Sequence, residues 1–423
     1  MKILLVEPDF PIPPKSKNHK NFLPIGLLKL ASYYRERGHR VKLIRGNKSI
    51  KDIKRNGDGR WYVPHKILIT SLFTYWAEYV RDSVKYYKKL FPNAKIIVGG
   101  IYASLMPEHC REFTGCDEVK VGVVEEAEKY FPAYDLIQNA NPYPIDYQII
   151  HTSRGCERKC PFCGTWRIEP EFISKKSIKN EIKFKKIVFY DNNLLMNTYI
   201  ENILQELIEL KKKREIIWCE SQSGFDGRIL LEKPHLAKMI KEAGFRYPRI
   251  AWDWGYKEYP KIKKQIDILL DAGYSSKEIY VFMVYNWNIP FEEMEKKRIK
   301  CWEWKVQIAD CRYRPLNQFY DNYDSRKKGQ TSKDYYIHEK AGWTDVLVKQ
   351  FRKNVREQNI CVRHNFPFYS RSFEHKKFGK EIMRKLKGLE NMTDKIRFLE
   401  SIRVDYWFPD KIRYPPDNSV EVR

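Results

Sequence analysis

No apolar stretch in the 423 residues approaches the roughly 20 needed to cross a bilayer, so a membrane-spanning helix is not expected. The opening Met1–Pro8 (MKILLVEP) is too short for a signal sequence and reads as a first strand. No internal repeat of fixed period is present beyond an alternation of strand and helix patterns, and no uninterrupted Lys/Arg run reaches six residues. A disulfide framework is also missing: nine cysteines is an odd count, and three of them fall within eight residues, a distribution that suits metal ligation in a reducing compartment. A cytoplasmic location is the expectation.

What is present points to a folded, soluble, multidomain chain. A hydrophobic content of 43% and an aromatic content of 14% exceed what a disordered chain carries, and the mean hydropathy is −0.62. The length suits two or three domains, each with its own core. The formal charge of +25 favours anionic partners such as nucleic acid, nucleotides or phosphorylated substrates. The basic residues are spread along the chain among acidic ones, which fits a general lysine-rich bias equally well.

Up to about Leu136, apolar runs at Lys2–Glu7, Val41–Arg45, Lys66–Thr70, Lys95–Val98 and Glu118–Val121 alternate with helical spacing over Ile25–Arg37 and Ala77–Leu90. That alternation implies a parallel, doubly wound sheet. Residues 139–147 form a Pro- and Asn-rich break, read as a linker between a first domain (1–138) and a second (148–314). In the second, strands are expected at Gln148–Thr152, Lys186–Tyr190, Glu215–Cys219, Arg249–Trp252, Ile279–Tyr285 and Val306–Cys311. Helical stretches are expected at Tyr199–Lys212, Leu230–Ala243, Tyr259–Ala272 and Phe291–Trp304. Strand–helix units in such a series suggest a (β/α)6 partial barrel, with its chemistry at the carboxyl ends of the strands. Residues 315–423 read as an α-rich, substrate-facing extension with helices around Gly342–Gln358 and Lys377–Leu386.

The segment His151–Cys163 (HTSRGCERKCPFC) puts Cys156, Cys160 and Cys163 on one loop after a predicted strand. Three thiolates on a four-iron cubane leave one iron without a protein ligand, and such a vacancy can chelate a small molecule. A structural zinc site is the alternative, but it pairs cysteines as CxxC and needs a second knuckle, which has no counterpart near this loop.

The CxxxCxxC spacing after the first strand of a β/α series, with Phe162 before the last cysteine, resembles the radical S-adenosylmethionine (SAM) superfamily. The resemblance implies a [4Fe-4S] cluster whose open iron chelates SAM, reductive cleavage to a 5′-deoxyadenosyl radical, and an external one-electron reductant such as flavodoxin or ferredoxin. It also implies SAM contacts near Asp191, Asn192 and Asn193, after the second strand, although the more usual glycine-rich form is absent there. By their places at strand ends, Gln222, Ser223 and Asp253 are candidates for SAM contacts, or else helix caps. Arg312 and Arg314 are candidates for holding a substrate carboxylate or phosphate, or else for surface salt bridges.

The first domain resembles the flavodoxin-like, cobalamin-binding domain that precedes the barrel in one radical SAM class. The resemblance is carried by Leu23–Leu28, Tyr33–His39 and Lys95–Ser104 (KIIVGGIYAS). It implies a cobalamin site near Thr70, Ser71, Thr74, Gly99 and Gly100. There is no DxHxxG signature to supply a cobalt-ligating histidine, and Gly122–Glu126 (GVVEE) stands where a GEGE-like turn is often found. A domain that keeps the fold without the cofactor is the alternative. His39 and His65 are expected to be structural or solvated.

The implied function is cobalamin-dependent methylation of an unactivated carbon in a small molecule, peptide or nucleic-acid component. Tyr313, Arg314, Tyr320, Tyr323, Tyr335, Tyr336 and Trp343 would line the substrate side or serve as packing residues. Two alternatives stand beside it: a cobalamin-free radical SAM enzyme acting on RNA, and a non-catalytic iron–sulfur or corrinoid-binding protein.

Overall fold

In the computed structural model, residues 1–13, 16, 19–53, 61–138, 145–375 and 378–415 are described. Within these residues the chain separates into two compact units. Unit 1 holds Met1–Ser223 with Arg314–Tyr323 and Asp334–Tyr336, and unit 2 holds Gly224–Tyr313, Asp324–Lys333 and Ile337 onward.

Unit 1 opens with strand β1 (Lys2–Glu7), helix α1 (Ile25–Glu36), β2 (Arg40–Arg45), β3 (Lys66–Ser71), α2 (Ala77–Leu90), β4 (Lys95–Gly100), α3 (Ile101–Leu105), α4 (Pro107–Thr114) and β5 (Glu118–Lys120). The strands pair in parallel in the order β2-β1-β3-β4-β5, the flavodoxin-like doubly wound order. β1 is covered on both faces, and Ile3, Leu4, Leu5 and Val6 are fully buried, which is why it reads as an unbroken apolar run. On one side the sheet packs under α2 through Val80, Val84 and Tyr87. On the other it packs under α1 through Leu27 and Ala31. Nδ1 of His39 lies 3.2 Å from the N-terminal amine, and Nδ1 of the exposed His65 accepts from the Lys2 amide at 3.0 Å.

Short helices α5 (Glu125–Glu128) and α6 (Asp135–Gln138) follow. Of the expected linker, 139–144 lie outside the described residues. Then come β6 (Gln148–Ile150), β7 (Ser153–Arg154), α7 (Thr165–Ile168), β8 (Ile173–Ser174), β9 (Lys186–Phe189), α8 (Ile200–Lys212) and β10 (Trp218–Ser221). β6, β9 and β10 form a parallel sheet in the order β10-β9-β6, and the two-residue β7 and β8 make an antiparallel pair beside it. Ile149 and Val188 pack against Leu23, Leu28, Tyr134 and Ile137, so this sheet shares a core with the first one's covering elements.

Unit 2 contains α9 (Gly227–Glu232), α10 (His235–Glu242), β11 (Arg249–Ala251), α11 (Tyr259–Asp271), β12 (Tyr280–Tyr285), α12 (Phe291–Glu303) and β13 (Gln307–Arg312). It continues with α13 (Asp345–His364), β14 (Tyr369–Ser370), α14 (Phe378–Lys387), α15 (Met392–Ser401) and β15 (Tyr406–Trp407). β11, β12 and β13 are parallel and adjacent in that order. The strands expected for a partial barrel therefore form two three-stranded parallel sheets, one in each unit. The single helix expected over Leu230–Ala243 is two helices, because Pro234 lacks the N–H that would continue the first. Among the described residues no helix is long and apolar enough to cross a membrane.

Candidate functional site

In a flavodoxin-like sheet, ligands bind beyond the carboxyl ends of the strands. At that edge Gly100 has φ +103°, a conformation L side chains rarely adopt, and a Cβ there would collide with the Ser71 carbonyl oxygen. Ser71 is buried, and its hydroxyl donates to Gly99 O (2.8 Å) and accepts from Ala103 N (3.1 Å). Ser104 repeats the device one strand further, donating to Gly100 O (2.8 Å) and accepting from Gly122 N (2.9 Å). Of the residues expected here, Ser71 thus clips β3 to β4. Thr70 is half-buried opposite Gly99, and Thr74 is buried at the turn into α2.

The cysteine loop runs from β7 to α7. Its base is fixed by Asp191, just past β9, whose Oδ1 accepts from Thr152 N (2.9 Å), Thr152 Oγ1 (2.6 Å), Ser153 N (2.6 Å) and Ser153 Oγ (2.7 Å). Asp191 Oδ2 is buried and has no hydrogen-bond partner among the described residues. Burial pushes this carboxyl above its usual range, against the four donors. Gly155 has φ +78°, and a Cβ there would strike the Glu171 carbonyl oxygen, so the chain enters the loop pressed against 169–171.

Cys156, Cys160, Cys163 and Phe162 are all half-buried, and none of the nine cysteines is in a disulfide. Arg158 N points at Cys156 Sγ (3.4 Å), while Cys160 O accepts from Cys163 N (3.0 Å) and Trp166 Nε1 (3.1 Å). Among the described residues no three His, Cys, Asp or Glu side chains are gathered closely enough to hold a single metal ion.

Within unit 1 the flavodoxin-like edge and the cysteine loop face each other. α3, which leaves Gly100, packs on α7, which follows Cys163. A Cβ on Gly164 would lie 3.2 Å from Leu105 Cδ2, and one on Gly122 3.7 Å from the Ile168 carbonyl. Lys20, in the connection after β1, forms an ion pair with the buried Glu220 on β10, and Gln222 Nε2 donates to the same carboxylate at 3.1 Å. Arg314 stacks its guanidinium over Tyr75 (4.4 Å) and pairs with Asp321 (2.6 Å). Lys29 on α1 pairs with Glu128 at 2.9 Å, and Glu128 lies 3.9 Å from Arg154 Nε. Burial works against the Glu128 anion, but the two cations outweigh it and hold its pKa low.

Other expected site residues take separate positions. Asn192 donates to Glu169 and accepts from Thr165 Oγ1 (3.4 Å). Asn193 is buried ahead of the turn Leu194–Met196, and Ser223 Oγ donates to the Asp191 carbonyl. Asp253 and Arg312 belong to unit 2, where Asp253 is half-buried and Arg312 buried. Burial raises Asp253 to about 6, opposed by Lys297 and Arg228. Lys20, Glu128, Glu169 and Glu220 were not singled out from the sequence. Each is an ordinary charged residue whose partner lies far away in the chain, so no local pattern marks it.

The fold is a doubly wound, flavodoxin-like domain, a type in which ligands bind at the strand ends. Residues 19–134 match the family model described as B12 binding domain, so the N-terminal region is cobalamin-binding in type. No curated protein matches the chain.

Proposed function

We propose that this chain is a cobalamin-dependent radical SAM enzyme, with methylation of an unactivated carbon as its reaction. The observation that supports this reading best is the packing of α3 on α7, which sets the edge of a B12-binding domain against the loop bearing Cys156, Cys160 and Cys163. The B12-binding match favours this reading over a corrinoid-free enzyme acting on RNA.

The residues present fit the implied groups. Cys156, Cys160 and Cys163 lie half-buried on one loop, a donor set that suits iron–sulfur ligation. Asp191 Oδ2, buried and unpartnered beside the loop, is suited to a strong donor such as the SAM ammonium. Residues 19–134, which include this edge, match the B12 binding domain and would hold the corrin.

In this reading Cys156, Cys160 and Cys163 ligate three irons and leave the fourth for SAM. Asn192, Asn193 and Gln222, all in unit 1, would orient SAM, and Arg314 of the same unit would serve the substrate side. When bound, the cluster with SAM would supply a 5′-deoxyadenosyl radical and the corrinoid a methyl group, the electron coming from flavodoxin or ferredoxin. The chain's own part is to exclude water and hold these groups in register.

The test is anaerobic reconstitution of the full chain with iron, sulfide and hydroxocobalamin, followed by absorption spectroscopy and assay of 5′-deoxyadenosine from SAM under reducing conditions. Retained corrinoid and 5′-deoxyadenosine formation are expected, with the latter lost in a folded Cys160→Ala variant. No 5′-deoxyadenosine from the intact, iron-loaded protein would overturn the reading.

A further inference from the structure

Glu169 sits fourteen residues beyond Gly155 and belongs to none of the motifs described above. Its Oε1 accepts from Arg154 Nη2 at 2.9 Å. Its Oε2 accepts from the Gly155 amide at 2.9 Å and from Asn192 Nδ2 at 3.1 Å. One carboxylate therefore binds the last residue of β7, the first residue of the cysteine loop and a residue past the carboxyl end of β9. The backbone around it is equally constrained: the Gly155 conformation leaves no room for a side chain against the carbonyls of Glu169 and Glu171. Arg154 is held from the other side by Glu128 of the B12-binding domain, 3.9 Å from its Nε.

We propose that Glu169 is a positioning residue: it fixes where Cys156 enters the site relative to the Asn192 amide. The proposal rests on the radical SAM reading of the cysteine loop. Cys156 follows Gly155 directly, so a hydrogen bond to the Gly155 N–H sets the direction of the chain at the first thiol. Asn192, with Nδ2 bound to Glu169 and Oδ1 accepting from Thr165, is locked in one orientation, its second amide hydrogen left for a ligand. Groups that orient metal ligands from behind commonly change affinity 10–100-fold when removed. Glu169 touches neither iron nor SAM in this assignment, so its effect passes through Gly155 and Asn192.

The experiment uses the full chain, anaerobically reconstituted, with iron and sulfide content measured first. The reduced cluster's electron paramagnetic resonance is then titrated with SAM in wild type, Glu169→Ala, Glu169→Gln and the exposed control Glu171→Ala. The expected result is wild-type iron content with SAM affinity lowered roughly 10–100-fold in Glu169→Ala, partial recovery in Glu169→Gln, which keeps one acceptor oxygen, and no change in Glu171→Ala. Should Glu169→Ala fail to fold, Glu169→Gln decides alone through a weakened titration. Wild-type SAM titrations in every folded Glu169 variant overturn the proposal. If wild type itself takes up no cluster, it is the radical SAM reading that fails.

Discussion

Gly164 and Leu105 approach so closely that a Cβ on the glycine would lie 3.2 Å and 3.3 Å from the two leucine methyls. The residue after the third cysteine thereby sets how near α7 comes to the helix that leaves Gly100. Gly164→Ala is expected to cost about 1–3 kcal/mol through overpacking, and Leu105→Ala in the same chain to recover part of that. Urea unfolding of the single and double variants gives the coupling directly. Strictly additive costs would show that the two side-chain positions do not meet.

Gly100 imposes a harder constraint, because both its φ of +103° and the Ser71 carbonyl oppose a side chain. Gly100→Ala is expected to destabilise by about 1–3 kcal/mol and to weaken corrinoid retention, as measured by denaturation and by absorbance after gel filtration. Ser71→Ala removes the clip between Gly99 O and Ala103 N and is expected to cost about 1 kcal/mol. A Gly100→Ala protein as stable as wild type would contradict the close approach of the two strand ends.

The inner strands of the flavodoxin-like sheet were legible because they are apolar runs, KILLVE, KILITS and KIIVGG, covered on both faces and bounded by polar turns. β1, expected over Lys2–Glu7, spans those residues, and α2 spans the expected Ala77–Leu90. The strand expected at Glu215–Cys219 begins later, at Trp218, because the Glu215 and Ile216 amides bond back to Leu210 O and finish α8 instead of joining the sheet. Helix α15 was missed although its start is marked: Asn391 caps it by accepting from Asp394 N at 2.8 Å. The cysteine loop could be found from spacing alone. The pairs Lys20–Glu220 and Tyr75–Arg314 could not, since their members are joined only by the fold.

Acid stability should carry the mark of two half-buried carboxyls in unit 2. Burial raises Asp253 and Asp310 each to about 6 from 3.8, with Lys297 opposing at the first and Arg352 at the second. A carboxyl raised in the folded state binds its proton more tightly there than in the unfolded chain. Its contribution is therefore present below about pH 4 and is lost as pH rises through about 6. The difference is about 3 kcal/mol for each group as an upper figure. Asp253→Asn and Asp310→Asn should each flatten this slope between pH 4 and 6 and raise thermal stability at neutral pH. Melting curves for ligand-free protein across that range give the comparison, and a wild-type slope in both variants would contradict the assignment.

Arg298 and Glu295, on one face of α12, are both fully buried and paired at 2.6 Å and 2.8 Å. The guanidinium also donates to Gln358 Oε1 (2.8 Å) on α13 and to the carbonyls of Pro409 (2.7 Å) and Lys411 (2.8 Å). Asn354 Nδ2 donates to the same glutamate at 3.0 Å. Every strong donor is matched, so this charge holds α12, α13 and the segment after β15 together. Removing one member strands the other in a dry interior, and Arg298→Ala or Glu295→Ala should cost about 3–5 kcal/mol. Arg298→Met combined with Glu295→Leu removes both charges and should cost less than either single change, although Gln358 Oε1, Asn354 Nδ2 and the carbonyls of 409 and 411 each lose a partner. Chemical denaturation of the three variants distinguishes this from packing loss alone, in which case the double change would be the worst of the set.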